Sequence, residues 1–282
     1  MENAYLGNII DLNDFNVIEL IGNGSYSDVF KIKSKSNNKF YAAKILKIKL
    51  NDNYIRFKRE LYCLQTLISP SIIKYYGYIL VDFDGMNYPV FITKYMENGN
   101  LAQILRARSR GSRKFNNTKM IINILGISLG MKYIHEKQIV NRVLAPGNVL
   151  LDSNLYPKIT YFDTARIIDE STFNHITTSI DTLYYTAPEV YENDGYSFEV
   201  DVFSFGMILY EFYSGHPPII KGKTNFQIIK NTIQGERPDV KKLPGGPINE
   251  LIERCWSEDP KKRPSFNELI FEFIVNRENY WP

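Results

Sequence analysis

Two glycines separated by one residue lie in a segment where the sequence predicts a turn between two β-strands. The strands are expected at residues 16–21 and 29–33, and the segment between them reads Gly22-Asn-Gly24-Ser-Tyr-Ser27. Glycine lets a backbone approach a phosphate group closely, and its amide groups can then donate hydrogen bonds without obstruction from a side chain. The segment therefore favours phosphate binding, although a plain hairpin turn would explain the same residues.

A lysine and a glutamate follow on the next two predicted elements. A third strand is expected over residues 40–46, and apolar residues recur at helical spacing over residues 57–67. The segment Tyr41-Ala-Ala-Lys44 resembles the strand of protein kinases that carries their phosphate-binding lysine. Glu60 falls where the regulatory helix of that family carries the glutamate that pairs with this lysine.

The resemblance to the protein kinase family implies an ATP-binding pocket. Residues 89–99 are similar to the segment that links the two lobes of a kinase, with Thr93 at the back of the pocket. The third glycine of the family's glycine-rich loop is replaced here by Ser27. The nucleotide-binding residues that the resemblance implies are Gly22, Gly24, Val29, Ala42, Lys44, Glu60, Thr93, Lys94, Met96, Asn148 and Leu150.

The segment from Ile139 to Leu151 resembles the catalytic loop of protein kinases. The family pattern is His-Arg-Asp-Leu, any four residues and Asn, and this chain has Asn141-Arg-Val143-Leu followed by Asn148. Val143 replaces the aspartate that accepts the proton of the substrate hydroxyl. Because a valine cannot accept a proton, the loop is expected to lack its general base.

A second motif of the family is altered at Tyr161-Phe162-Asp163, where kinases have Asp-Phe-Gly. Tyr161 replaces the aspartate that holds magnesium, and a neutral tyrosine hydroxyl is a poor ligand for a hard dication. The degenerate catalytic positions are therefore Asn141, Val143 and Tyr161, and no metal site is expected. Asn148 and Asp163 would hold a metal only if the chain were active.

A segment rich in hydroxyl groups follows and ends at Ala187-Pro-Glu189, as an activation loop does. Its candidate regulatory phosphorylation sites are Thr177, Thr178, Ser179 and Thr182. Residues 251–266 resemble the closing segment of tyrosine-kinase-like and tyrosine kinases, which implies that Arg263 pairs with Glu189. Ser265 and Glu268 have the spacing of a capping box.

Composition excludes several classes of protein. The chain has 282 residues with 34 Lys and Arg against 31 Asp and Glu, and a net charge of +3 does not favour nucleic acid as a partner. The two cysteines suit buried positions in a reducing compartment, and no stretch reaches the length of a membrane span. A cytoplasmic protein without nucleic-acid or membrane partners is the expectation. The basic cluster at residues 106–114 fits either a solvated loop or a docking site for an acidic partner.

The expected fold is α+β, a bilobal kinase-like fold with a small antiparallel sheet lobe, one regulatory helix and a larger, mainly helical lobe. The expected boundaries are an N-terminal extension at 1–13, an N-terminal lobe at 14–97 and a C-terminal lobe at 98–282. The expected function is that of a pseudokinase, a signalling scaffold or switch that binds ATP without magnesium. Its partners would be other signalling proteins, an active kinase among them. Two alternatives remain open, an atypical active kinase that uses Asp163 and a binding module whose pocket is filled by Tyr161.

Overall fold

The computed structural model describes residues 9–47, 54–168, 180–192 and 197–280. The chain divides into two compact units. The sheet unit spans Met1–Ile68 and Ile72–Glu97, and the helical unit spans Ser69–Ser71 and Asn98–Pro282. Among the described residues, no helix combines the length and the apolar composition needed to cross a bilayer.

The sheet unit contains an antiparallel sheet of five strands in the order β1-β2-β3-β5-β4 and one described helix, α1. The strands occur where alternating and β-branched residues predicted them, and turn residues separate them. Their bounds are β1 Phe15–Asn23, β2 Ser27–Ser34, β3 Phe40–Leu46, β4 Tyr75–Ile79, β5 Val90–Lys94 and α1 Tyr54–Thr66.

The two faces of this sheet have different neighbours. Side chains alternate along a strand, and directly paired residues share a face. Lys44 of β3 pairs with Phe91 of β5, and Phe57 of α1 stacks on Phe91 with ring centroids 5.3 Å apart. Helix α1 therefore covers the face that carries Lys44. Ala43 and Ile92 are fully buried on the opposite face, within an apolar core that we call the outer core.

The sheet is curled, and the path of the N-terminal segment requires this. Ile9 bridges Tyr78 of β4 in parallel, and the Ile10 amide donates to the Tyr78 carbonyl at 3.2 Å. Only five residue steps then reach Phe15 at the start of β1, at the opposite edge, a span of at most about 18 Å. A flat sheet would need five strand spacings, roughly 24 Å. The edges therefore approach each other and enclose the outer core.

The helical unit is built from nine described helices and two short antiparallel strand pairs, β6 with β9 and β7 with β8. The strand bounds are β6 Ile139–Val140, β7 Val149–Leu151, β8 Pro157–Ile159 and β9 Arg166–Ile167. The helix bounds are α2 Leu101–Ser109, α3 Asn117–Glu136, α4 Ile180–Leu183, α5 Pro188–Glu192, α6 Glu199–Ser214, α7 Asn225–Ile233, α8 Pro247–Cys255, α9 Phe266–Val275 and α10 Arg277–Tyr280. Together with the five-stranded sheet, these elements confirm the predicted α+β kinase-like fold.

Helix α6 forms the centre of this unit, as its nearly uniform apolar sequence predicts. It ends at Gly215, whose φ of 70° is the left-handed conformation that favours glycine. Gly206 lies close to α8, where an added Cβ would come within 2.7 Å of the Cys255 Cβ. Glycine at this position therefore allows the two helices to pack closely.

Two predicted interactions hold the end of the helical unit. Arg263 makes a bidentate ion pair with Glu189, with donor–acceptor distances of 2.5 and 3.1 Å. Its guanidinium group also donates to the carbonyls of Ser257 and Glu199. The capping box at the start of α9 is present, because the Ser265 and Glu268 side chains each bond the other residue's backbone amide.

Candidate functional site

A buried ion pair lies on the α1 face of the sheet unit. Lys44 Nζ is 2.6 Å from Glu60 Oε1, and the two side chains are 14% and 3% exposed. Lys44 is positioned by the central strand β3, and Glu60 lies on α1 three residues after Phe57, the residue that packs α1 onto the sheet. The predicted pairing of these residues is confirmed. This contact positions the Lys44 ammonium group against α1.

Several predicted nucleotide contacts share the face that carries Lys44. Val29 of β2 pairs directly with Lys44, and Ala42 of β3 pairs with Thr93 of β5. Since Ala42 and Lys44 are two residues apart on one strand, all four side chains project from the same face. The structure therefore brings together, on a single surface, a small residue, two β-branched residues and a cation.

The segment after β5 carries the other two predicted adenine contacts. The backbone amide of Lys94 donates to the Lys74 carbonyl at 2.9 Å, so this amide is not available to a nucleotide. The Lys94 side chain shares its face with Tyr41, opposite to the Lys44 face. Met96 is buried. Only main-chain groups at these positions could meet an adenine edge, as the resemblance implies.

The glycines between β1 and β2 are not required by the conformation of the turn. Neither Gly22 nor Gly24 has a positive φ, and an added Cβ would meet its nearest neighbour at 3.5 Å and 3.4 Å respectively. The turn is closed by the Gly24 amide, which donates to the Ser27 carbonyl, and by Lys47 Nζ, which donates to the Gly24 carbonyl. The turn conformation therefore does not require glycine at either position, and close approach of a phosphate to this backbone stays a prediction.

In the helical unit, the loop after β6 is held by the carboxylate of Asp201, at the N-terminal end of α6. Asp201 Oδ1 accepts from the Arg142 amide at 2.7 Å, and Oδ2 accepts from the Asn141 amide at 2.8 Å. His135 Nε2, at the end of α3, lies 2.9 Å from the same Oδ2. Asp201 is completely buried. None of the sequence motifs described above indicated this anchor.

Asn148 closes the loop from its other end. Its Nδ2 donates to the Val143 carbonyl at 2.7 Å, and its own carbonyl accepts from the Thr160 amide at 3.1 Å. Thr160 directly precedes Tyr161, so Asn148 joins the two altered motifs. Its neighbour Leu150 lies on β7, bridged to Asn100 and paired with Lys158. The backbone frame of the loop is thus complete although its chemical side chains are replaced.

The side chains at the altered positions are a partly buried valine, a buried asparagine and a partly buried tyrosine. Asn141 is 1% exposed and its Oδ1 accepts from the Val143 amide at 3.2 Å. Tyr161 has a φ of 64°, an uncommon conformation for a bulky residue. Phe162 beside it is fully buried. None of the three replaced side chains carries a carboxylate that could accept a proton or bind a metal.

Among the described residues, the side chains that could bind a magnesium ion near the altered motifs are Asp163 and Asn148. In the part of the chain that the structure describes, no group of three or more His, Cys, Asp and Glu side chains could hold a metal. Asp163 is partly exposed and supplies one carboxylate, and Asn148 bonds within the loop through its Nδ2, whereas Oδ1 is the atom that could bind a metal. A hard dication requires several oxygen ligands, most of them carboxylates or waters.

The structure describes one of the four predicted phosphorylation sites, Thr182. Thr177, Thr178 and Ser179 lie outside the described residues. Thr182 lies in α4 and is 9% exposed, and its carbonyl accepts from the Thr186 hydroxyl. Arg142, a candidate partner for a phosphate, is buried and its Nε donates to the Thr164 carbonyl at 2.5 Å. A kinase would reach Thr182 only after α4 had moved.

An antiparallel sheet with a buried lysine–glutamate pair and a helical unit with an asparagine-closed loop define the class of kinase folds. The protein kinase domain family matches residues 15–273, and the chain belongs to this family. The match covers β1 through most of α9. The assignment agrees with the resemblance that the sequence motifs indicated.

Named relatives cover most of the chain at about one-third identity. The chain is 32% identical over 285 residues to cAMP-dependent protein kinase type 3 of Saccharomyces cerevisiae, covering 94% of this chain and 68% of the relative. It is 31% identical over 274 residues to a probable serine/threonine-protein kinase of Dictyostelium discoideum, covering 93% of this chain and 19% of the relative. A serine/threonine-protein kinase of Arabidopsis thaliana is 30% identical over 264 residues, covering 93% and 44% of the two chains. The chain thus spans less than half the length of two of these three relatives.

Proposed function

We propose that this protein is a pseudokinase-type signalling switch or scaffold, which binds ATP without magnesium and transfers little or no phosphate. The observation that carries the proposal is that the loop after β6 is anchored at both ends but lacks a proton acceptor. Asp201 and Asn148 hold the loop in place, while Val143 stands at the position of the proton acceptor. A loop that is fully anchored but lacks its base suits a fold retained for binding.

The rate factors that a general base and a metal ion normally contribute support little or no phosphate transfer. A positioned general base typically contributes about 10²- to 10⁴-fold to a rate. Metal polarisation of the transferred phosphate contributes several kcal/mol more. Because these groups act as a unit their losses do not simply add, yet the loss of either would leave the rate far below that of an ordinary kinase.

The proposed nucleotide site uses groups that remain. Val29 and Ala42 offer an apolar surface beside Lys44, and the glycine turn has no side chains at positions 22 and 24 that would obstruct a phosphate. Lys44 is the cation that would meet a phosphate in the absence of magnesium, and its contact with Glu60 connects that event to α1. A nucleotide that draws Lys44 away from Glu60 would shift the position of α1 and thereby the affinity for a partner. This coupling is the proposed switch.

The proposed partners are other cytoplasmic signalling proteins, among them an active kinase. The proposal includes membership of the tyrosine-kinase-like group, which the resemblance of residues 251–266 to the closing segment of those kinases supports. Cys63 and Cys255 are buried free thiols, which are compatible with a reducing compartment. Loop phosphorylation at Thr177, Thr178, Ser179 or Thr182 would be a second input to the switch.

Thermal unfolding of the purified protein with ATP, with and without magnesium, tests the proposal. ATP at about 100 times its dissociation constant should stabilise the protein by roughly 2.7 kcal/mol, with or without magnesium. The shift should vanish in Lys44→Ala and persist in Lys39→Ala, an exposed lysine of the same unit. The shift caused by ATP is compared within each variant, because Lys44→Ala also removes a buried ion pair. A shift that ignores Lys44, or no shift with any adenine nucleotide, would refute the nucleotide switch and leave a binding module.

An atypical active kinase is the second candidate, favoured by the names of the relatives and by the carboxylate of Asp163. Positioning alone can support slow phosphoryl transfer. This candidate requires incorporation of phosphate from ATP into a protein substrate that depends on magnesium and disappears in Asp163→Asn. Incorporation unaffected by Asp163→Asn would argue against this carboxylate as the metal ligand.

A further inference from the structure

A cavity lies in the sheet unit on the face opposite Lys44. It has a volume of about 480 Å³, within the range of sites that hold a small ligand. Phe30 and Ile45 line it, and both project away from Lys44 because they are adjacent in sequence to Val29 and to Lys44 itself. The cavity therefore opens beside the outer core and does not share the proposed nucleotide surface.

The floor of the cavity is aromatic and supported from below. Phe30 of β2 and Phe83, in the connection between β4 and β5, make an edge-to-face contact with centroids 6.3 Å apart. Both rings pack against the outer core, which limits their movement. Tyr88 and Ile45 complete the apolar wall. Aromatic rings with exposed faces attract cations as well as apolar groups.

The rim of the cavity is acidic. Asp28, Asp82 and Asp84 line it together with one cation, Lys47, which leaves a net charge of −2. Lys47 already forms an ion pair with Asp28, in which Nζ lies 2.9 Å from Oδ1. Asp82 Oδ1 accepts from the amides of Asp84 and Met86 and thereby shapes the rim, while the Asp84 carboxylate has no bonded partner within the described residues. Two carboxylates beside an aromatic floor therefore lack a neutralising cation among the lining residues.

Exposed apolar side chains extend this surface beyond the cavity. Leu80, Val81 and Met86 flank the acidic residues, and Val17 lines the cavity from the edge strand β1, all between 37% and 47% exposed. Exposed apolar side chains near a charged pocket are typical of a surface that contacts another protein. A small free cation would leave these side chains uncovered.

We propose that this cavity, the acidic pocket, binds a segment of a partner protein in which a basic side chain lies next to an aromatic or aliphatic one. The basic group lies between Asp82 and Asp84 over the aromatic floor, and its apolar neighbour covers the exposed apolar side chains beside the pocket. The recognition combines charge complementarity with burial of apolar surface. It gives the scaffold a docking site that does not depend on nucleotide, and it does not rest on the proposed ATP switch.

Three peptides that differ only at the central residue test this proposal, acetyl-Ala-Phe-Arg-Leu-Ala-amide and its Gln and Glu versions. Each is titrated into the full chain, labelled with ¹⁵N, while amide shifts are followed. The Arg peptide should bind with a dissociation constant of about 1 mM and shift the amides of residues 82–88. The Gln peptide should bind about fivefold to tenfold more weakly, and the Glu peptide should not bind.

Variants of the pocket provide the matched comparison. Asp82→Asn with Asp84→Asn keeps the oxygen that shapes the rim and should reduce binding of the Arg peptide to that of the Gln peptide. Asp84→Lys, at an exposed position, should prefer the Glu peptide. Glu253→Gln removes one exposed carboxylate from the helical unit and should change nothing.

Three outcomes would overturn the proposal. The first is equal binding of the Arg and Glu peptides. The second is no response to the Arg peptide at about 10 mM. The third is binding that Asp82→Asn with Asp84→Asn leaves unchanged. Saturating ATP should not displace the Arg peptide, because Lys44 faces the other side of the sheet, and failure of ATP to bind would leave the result intact.

Discussion

Asp201 should be one of the most costly residues to change in the helical unit. Its two carboxylate oxygens accept from the amides of Asn141 and Arg142, at 2.8 and 2.7 Å, and one of them contacts His135. Asp201→Asn preserves the shape but replaces one oxygen with an amino group. At whichever position that group lies, it faces at least one buried amide that also needs an acceptor.

The loss in the free energy of unfolding caused by Asp201→Asn can be estimated from these contacts. A buried amide that loses its acceptor costs about 1–3 kcal/mol, and a hydrogen bond to a charged group is worth about 1.5–3 kcal/mol. Because Asn keeps one of the two oxygens, the expected loss is about 2–4 kcal/mol rather than the full sum. For a chain of this size, each kcal/mol shifts the midpoint by roughly 2–4 °C, so Asp201→Asn should melt about 5–15 °C below the parent protein.

Tryptophan fluorescence is a suitable assay, because both tryptophans belong to the helical unit and Trp256 is buried against Tyr210 of α6. The control is Asp239→Asn, at an exposed position where the side chain accepts only from the Lys241 amide and Asn can do the same. The control should melt within about 2 °C of the parent. Amide exchange at residues 141 and 142 should also accelerate in Asp201→Asn. If Asp201→Asn is folded and melts like the control, the anchoring role is wrong.

Three further predictions follow from buried or replaced side chains. Burial raises the pKa of Glu211 in the folded chain above its ordinary value of 4.5. The unfolded chain therefore releases this proton at a lower pH than the folded chain does. As a result, the free energy of unfolding falls as the pH rises from the unfolded-state pKa to the folded-state pKa. Glu211→Gln should therefore melt higher than the parent at about pH 8 and equally at about pH 4, and a lower midpoint at pH 8 would contradict this reasoning. Arg263→Lys loses the bidentate contact with Glu189 and should lower the free energy of unfolding in urea by about 2 kcal/mol, a loss that should shrink in a Glu189→Gln background. Val143→Asp combined with Tyr161→Asp should raise phosphate incorporation from ATP by at least about 10²-fold, whereas no rise over either single variant would mean that other groups prevent transfer.

The interactions that could be predicted are those in which both paired side chains belong to motifs of the family. Lys44 and Glu60, Arg263 and Glu189, and the capping box at Ser265 were all expected from residue types at family spacing, and all three pairings are present. Each involves side chains whose charges or hydrogen-bonding groups are complementary. Such pairs can be proposed without knowing the path of the chain between them.

The parts that were missed depend on backbone groups or on curvature. Asp201 binds amides about 60 residues away, and a backbone amide has no sequence signature. The curling of the sheet follows from the bridge between Ile9 and Tyr78, which no propensity indicates, and the acidic pocket is lined by residues from β1, β2, β3 and the β4–β5 connection, which are distant in sequence. The glycine turn was ambiguous for a related reason. Only its φ values and the space around each Cα show that the turn conformation does not require glycine.

The contacts that hold the loop after β6 do not depend on the side chain at position 143. Val143 contributes to the loop through its carbonyl, which accepts from Asn148, and its amide, which donates to Asn141. Neither bond involves the side chain, so exchange of an aspartate for a valine leaves the frame intact. The residues that hold the frame, Asp201 and Asn148, are not those that perform proton transfer. If the proposed pseudokinase function holds, selection for binding alone would preserve the recognisable loop without its proton acceptor.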